Sequence, residues 1–148
     1  MFKEANKSDA KVFYDLYDEL RGFVEKGSNK PTFDEYKKLF CILLDEKGYR
    51  FWKIVDEDDI VIGVISVNER FNLFHCKKII YIDEIVITAK FRNKGYGRKA
   101  IDFICDFYER IGGVAKVELS TDYNNSPARE FYNKVGFDDY AALYKIKI

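Results

Sequence analysis

A helical period set between two strand-like runs constrains this chain more than any other feature. Ile79 to Thr88 is rich in β-branched and aromatic residues. Gly97 to Ile111 then carries Ala100, Ile101, Ile104, Cys105 and Tyr108 on one face and stops at Gly112-Gly113, and Val114 to Ser120 is strand-like again. A strand, a crossover helix and a strand require a parallel pair. Upstream, Tyr49 to Val55 and Ile60 to Arg70 precede the first of these strands, divided by the turn Asp56-Glu57-Asp58-Asp59 and a second turn near Asn72. Such short connections imply an antiparallel meander. The pattern predicts an α+β fold whose central sheet is mixed, mostly antiparallel, and flanked by helices.

The remaining segments fill in that frame. Met1 to Ala5 is a short strand, and Ser8 opens a helix with Val12, Phe13, Leu16, Tyr17 and Leu20 at helical spacing, running out near Gly22 to Gly27. Thr32 and Glu35 form a capping box for a second helix, with Tyr36, Leu39, Phe40, Leu43 and Leu44 as its buried stripe up to Gly48. Ser126-Pro127 starts a last helix that turns Ala128, Phe131, Tyr132 and Val135 inward and ends at Gly136. Tyr140 to Ile148 is expected to close the sheet as a further strand.

Composition sets the limits. The 148 residues carry 25 Lys and Arg against 25 Asp and Glu, and 47% are hydrophobic, including 13 Phe, 11 Tyr and one Trp. One domain spanning residues 1–148 is expected, with a core large enough to need neither disulfide nor metal. A pI near 6.6 gives no general attraction to nucleic acid. No apolar run approaches the ~18 residues of a membrane span. Met1 to Lys11 is polar and has no signal-peptide core. Cys41, Cys76 and Cys105 are an odd number among apolar neighbours, which reads as buried free thiols in a reducing, cytoplasmic setting. His75 stands alone near a turn without ligand spacing, so no metal is expected. Cys76 beside it has no motif that would make it a nucleophile. The acidic turn at Asp56 to Asp59 reads as a solvated hairpin tip.

The chemistry concentrates in Arg92-Asn93-Lys94-Gly95-Tyr96-Gly97-Arg98, between a strand and a helix. Glycines let backbone approach a ligand, and a helix N-terminus offers unpaired N–H groups and partial positive charge to a pyrophosphate. Ile85 to Gly113 holds six Lys and Arg against three Asp and Glu, whereas Phe51 to Glu84 holds four against seven. A basic patch therefore follows an acidic one. Gly95-Tyr96-Gly97-Arg98-Lys99-Ala100 also fits a G-x-G-x-x-A dinucleotide fingerprint, with Glu118 or Asp122 as its acid. That fingerprint needs its glycines directly after the first strand and more βαβ units than this chain has left. A turn with glycines for geometry alone is the plainer alternative.

Arg92-x-x-Gly95-x-Gly97 resembles the [Q/R]-x-x-G-x-[G/A] acetyl-CoA signature of the GNAT acetyltransferases. Asn125-x-x-Ala128-x-x-Phe131-Tyr132-x-x-x-Gly136-Phe137 is similar to the family's later block, N-x-x-A-x-x-[L/F]-Y-x-x-x-G-F, at every specified position. The resemblance extends over the whole chain and implies a GNAT-like sheet whose parallel strand pair surrounds an acetyl-CoA cleft. It implies that main-chain amides of Asn93, Lys94, Gly95, Tyr96, Gly97 and Arg98 hold the pyrophosphate. It also implies that Ile85, Val86 and Ile87 hydrogen-bond the pantetheine arm, one of their amides polarising the thioester carbonyl, with Arg92 and Asn125 belonging to the same cofactor site. Tyr132 matches the general acid that protonates the departing thiolate, a role suited to a phenol of pKa ~10. On periodicity alone it is a core aromatic beside Phe131 and Val135.

An amine of pKa ~10.4 is almost entirely protonated at pH 7 and needs a base. Asp83 and Glu84 adjoin the pantetheine strand and resemble the acidic pair of the spermidine/spermine acetyltransferases, where the first acts through water. Strand alternation would send the two side chains to opposite faces, so at most one is expected in the cleft; a solvated charged pair, with water as the base, is the alternative. The resemblance implies direct transfer of acetyl from acetyl-CoA to a primary amine in a ternary complex, the acidic pair favouring a small cationic amine such as a polyamine, an aminoglycoside or an amino-acid-like compound. A protein lysine or N-terminal amine, or a CoA-binding sensor without turnover, remains open. A homodimer is common among the proteins it resembles.

Overall fold

Five strands pair in chain order. In the computed structural model, which describes residues 1–24 and 30–146, the strands are β1 (Phe2–Glu4), β2 (Tyr49–Val55), β3 (Val61–Asn72), β4 (Lys77–Ile87) and β5 (Val114–Leu119), hydrogen-bonded in the order β1-β2-β3-β4-β5. The first three pairings are antiparallel and β4–β5 is parallel, so the meander and the crossover are where the sequence puts them. Helix α3 (Tyr96–Ile111) makes the crossover. Helices α1 (Ala10–Val24) and α2 (Phe33–Asp45) precede the meander, and α4 (Ser126–Lys134) follows β5.

Each face of the sheet has its own core. Trp52, Ile54, Ile80 and Ile82 pack with Ala100, Ile101, Ile104 and Tyr108 of α3. On the other face Phe51, Val64 and Val86 meet Ala10, Phe13 and Leu16 of α1 and Phe40 of α2. Adjacent Phe51 and Trp52 serve opposite faces because strand side chains alternate. Glu69, its side chain 7% exposed, ties β2, β3, β4 and α3 together: Arg50 Nε and Lys78 Nζ lie 2.7 and 2.6 Å from its carboxylate and the Tyr108 hydroxyl donates to it at 3.0 Å. Burial opposes the charge there, but the three donors hold the carboxyl below its ordinary pKa.

Thr32 and Glu35 form the expected capping box of α2, Glu35 accepting from the Thr32 amide at 2.7 Å. Three expectations differ from the structure. Tyr140 to Ile146 forms no strand among the described residues; residues 147–148 lie outside them. Tyr140 reaches β5 through its hydroxyl, 2.8 Å from Lys116 Nζ, but Leu143, Tyr144 and Ile146 are exposed, and a β-prone composition without a pleated surface to pack on does not fix a strand. Leu39, placed in the buried stripe of α2, is 55% exposed because it stands at the mouth of a cavity rather than against the sheet. The cysteines are not buried: Cys41 is half-buried, Cys76 and Cys105 exposed, and Cys105 is turned one helical step past the fully buried Ile104. Helix α1 is described to Val24, within the Gly22 to Gly27 range expected for its end, and residues 25–29 lie outside the described part.

Gly63 fixes the spacing of β3 and β4 near the end of β4. A Cβ built on it would stand 2.6 Å from the Val86 carbonyl oxygen and 2.9 Å from Ile87 Cδ1. Gly63→Ala is expected to lower stability by ~1–3 kcal/mol, the usual range for overpacking, read as a fall in the denaturant midpoint with an unchanged slope.

Candidate active site

An irregularity in β4 places the acidic pair. Ser66 pairs with Glu84, but the next residue, Val67, pairs with Ile82, so Asp83 is the extra residue of a β-bulge. The bulge reverses the alternation: Ile80 and Ile82 point to α3, whereas Val86 points to α1. Glu84 takes the parity of Val86, and it and Asp83 line one cavity of about 200 Å³ together with Tyr17, Tyr36, Phe51 and Ser66. Regular alternation would have separated the two carboxylates; the bulge brings them to the same face. A second depression of about 440 Å³, lined also by Lys30, Pro31 and Glu35, shares Tyr36 and Leu39 with the first.

The cavity wall is aromatic and fixed. The Tyr17 and Ser66 hydroxyls are 2.6 Å apart, and the Tyr17 and Tyr36 rings meet edge to face at 5.9 Å. Burial raises the Glu84 carboxyl to about 7, helped by the neighbouring Asp83 charge and opposed by Arg21. Partial burial also raises Asp83, with Arg70 opposing. Tyr132, half-buried on α4 and packed against Phe131 and Phe137 at ring distances of 5.2 and 5.8 Å, has its phenol raised first by burial and then by the charge of Glu84. The acid and base candidates therefore sense each other.

Beyond the bulge β4 has an open edge. Its pairing with β5 ends at Ile82↔Leu119, whereas its pairing with β3 continues to Gly63↔Ile87. The Thr88 amide donates to the Ile62 carbonyl at 2.9 Å. Counting back by twos, Val86 and Glu84 turn their main-chain groups toward β3, and Ile85 and Ile87 turn theirs to the unpaired side. Arg92 agrees with this parity, since its Nε donates to the Ile87 carbonyl at 2.9 Å. Of the three residues expected along a pantetheine arm, Ile85 and Ile87 turn their amides to the open edge and Val86 turns its amide to β3.

Arg92 also meets Glu19 of α1 at 3.2 Å, and the Ala89 amide donates to the same carboxylate oxygen at 3.3 Å. These contacts make Arg92 the brace of the loop, joining α1 to the end of β4. Asn93 and Gly95 adopt left-handed backbone conformations (φ 58° and 83°), and Gly95 is the N-cap of α3 without a side-chain cap. The first-turn amides of Tyr96, Gly97 and Arg98 precede the point where intrahelical bonding begins, at Lys99 N–H to Gly95 O, 3.1 Å. Lys94 and Lys99 lie over the rings of Phe91 and Tyr96, at 5.1 and 5.3 Å. Gly97 serves helix packing: a Cβ there would be 3.0 Å from Phe131 Cζ. Asn125 is the N-cap of α4, its side-chain oxygen accepting from the Ala128 amide at 3.3 Å, which sets the course of the helix bearing Tyr132.

Sequence reading missed Tyr17, Tyr36, Ser66 and Arg21 as cavity or near-cavity residues. Tyr17 and Tyr36 sit at core spacing on their helices, and only the sheet register shows that the surface they cover contains a half-buried carboxylate.

Residues 13–137 match the acetyltransferase (GNAT) family, and the chain belongs to it. It is 30% identical over 134 residues to the glucosamine 6-phosphate N-acetyltransferase of Arabidopsis thaliana, covering 84% of this chain and 87% of that one. It is 31% identical over 84 residues to a D-amino-acid N-acetyltransferase of Saccharomyces cerevisiae, a match that spans 57% of this chain and only 52% of the relative. A possible acetyltransferase from Clostridium difficile superposes with a TM-score of 0.85 over 100% of this chain and 97% of that one, at 16% identity, which is agreement of fold.

The elevated Glu84 carboxyl has a stability consequence. Between its ordinary value of 4.5 and about 7 the folded chain holds this proton and the unfolded chain does not, so its contribution to stability falls as pH rises through that window. Glu84→Gln is expected to melt higher than the parent at pH 8 and at the same temperature at pH 4, as followed by circular dichroism.

Proposed function

We propose that this chain is an acetyl-CoA-dependent N-acetyltransferase acting on a small amine by direct transfer. The observation that carries the reading is the half-buried Glu84 carboxyl, raised to about 7, lining a cavity next to the open edge of β4 and close enough to Tyr132 for its charge to raise the phenol. A base whose pKa lies near the working pH is charged often enough to take a proton and basic enough to hold it. The acidic pair draws a cationic amine into the cavity, and the aromatic wall of Tyr17, Tyr36 and Phe51 excludes water from it.

Acetyl-CoA supplies the activated thioester. The Ile85 and Ile87 amides donate to its pantetheine arm and, at one of them, to the thioester carbonyl, where developing negative charge is stabilised. The first-turn amides of α3 at Tyr96, Gly97 and Arg98 meet the pyrophosphate, with the basic loop adding charge. Glu84 accepts a proton from the ammonium; the free amine nitrogen adds to the thioester carbon, the C=O electron pair moving onto oxygen. As the carbonyl re-forms the C–S bond breaks, the Tyr132 hydroxyl gives its proton to the sulfur, and the second proton lost by nitrogen returns through water to the Tyr132 oxygen. Asp83 keeps the Glu84 carboxyl high by adjacent charge.

Three variants test the roles in a thiol-release assay over an amine panel. Tyr132→Phe is expected to lower kcat ~10²-fold with acetyl-CoA affinity and melting nearly unchanged; normal turnover would make Tyr132 a core residue only. Glu84→Gln is expected to lose ~10²-fold at neutral pH and recover partly as pH rises and free amine accumulates. Asp83→Asn is expected to move the acidic limb of the rate profile to lower pH, because Glu84 loses a neighbouring charge. Saturable CoA binding without turnover of any amine would mark a sensor domain instead.

A further inference from the structure

Arg21 is a half-buried cation, one of whose guanidinium nitrogens has no partner. It lies on α1 one turn beyond Tyr17, which lines the cavity, and two beyond Tyr14. Its Nη1 is shut off from solvent and makes no hydrogen bond, and among the described residues its guanidinium enters no ion pair. The contact it does make is with an aromatic ring, its Cζ lying 5.8 Å from the centre of Tyr14. That ring stacks edge to face on Tyr36 at 5.3 Å, and Tyr36 lines the cavity. The Arg21 charge reaches both Tyr36 and Glu84, favouring the ionised form of each.

Burying a guanidinium donor unsatisfied is costly, and nothing in the packing of α1 needs a cation there. Glu84 does not discharge it, since the two groups are not within ion-pair distance. A planar fork of donors held beside a cavity is suited to a carboxylate or a phosphate oxygen, which it can grip with one or two parallel hydrogen bonds. A polyamine would offer it only repulsion.

Resting on the acetyltransferase reading above, we propose that Arg21 is a specificity-determining residue that selects an acceptor carrying an oxyanion, a carboxylate or a phosphate, on the same small molecule as its amine. The ammonium end goes to Asp83 and Glu84 and the anionic end to Arg21, so the cavity reads both charges of one molecule. This narrows the class of small amines to amino acids and amino-sugar phosphates, and sets polyamines outside it.

The test uses the full chain with acetyl-CoA and two matched pairs of acceptors: α-amino acids against their amides, and an amino-sugar phosphate against the unphosphorylated amino sugar. Spermidine serves as the purely cationic control. The anionic member of one pair is expected to exceed its neutral partner by about 10- to 100-fold in kcat/KM, chiefly through KM, and the pair that shows the gap names the anion. Arg21→Gln is expected to erase the gap, any change in rate that comes through the Glu84 carboxyl falling equally on both members of a pair, and Arg21→Lys to keep part of it. Arg21→Gln should also melt no lower than the parent, since it removes a half-buried charge with an unsatisfied nitrogen. Equal rates within both pairs, a preference for spermidine, or a gap that survives in Arg21→Gln would overturn the assignment of Arg21 while leaving acetyl transfer standing. Turnover of none of these amines by a chain that binds acetyl-CoA would overturn both.

Discussion

The extra residue in β4 is the feature on which the rest of the site depends. Without it, Glu84 would continue the parity of Ile80 and Ile82 and point into the apolar core under α3, where a carboxylate could not stay. With it, Glu84 turns to the face covered by α1 and α2, and the strand bends where its pairing with β5 stops. One inserted residue thus does two things. It moves the carboxylate to the face where the cavity is, and it separates β4 from β5 so that Ile85 and Ile87 have main-chain groups to offer.

The elements around this opening are held by contacts distant in sequence. Glu19 on α1 accepts from Ala89 and Arg92, and Arg92 in turn reaches the Ile87 carbonyl, so the start of the loop, the end of β4 and the first helix move as one. On the other side, Gly97 lets α4 approach α3 to the point where Phe131 fills the space of a missing side chain. Tyr132 is the next residue along, and its direction follows from that contact and from the Asn125 cap. Motif residues that look like ligand contacts in the sequence are here also the supports that place those contacts.

Much of the fold was legible because it follows from local periodicity: the meander, the crossover helix, the parallel pair and the Thr32–Glu35 cap are where alternation and capping chemistry put them. The acidic pair was legible as a pair, but not as two groups on one face, since alternation assumes a strand without a bulge and the bulge is set by pairing with Ser66 and Val67, about twenty residues away. Cys105 and Leu39 were misplaced for a related reason. A helical stripe wider than the surface it packs on has a residue at its edge that stays in solvent, and the width of that surface is a tertiary fact. Tyr140 to Ile146 shows the same limit in a strand-like composition with no sheet edge taken up.

Two half-buried groups near the cavity are each in an unfavourable state: Glu84 near a like charge and Arg21 with an unsatisfied nitrogen. Elsewhere the chain resolves such conflicts, as at Glu69, where a carboxylate whose side chain is only 7% exposed is matched by two cations and a hydroxyl. The contrast separates structure from function within one sheet. A charge buried for stability is surrounded by partners, because an unpaired one would cost more than it contributes. In the proposed reading, a charge left short of partners beside a cavity is held for a ligand, and two carboxylates on β4 and a guanidinium on α1 with aromatic rings between them match the proposed acceptor with a charge at each end.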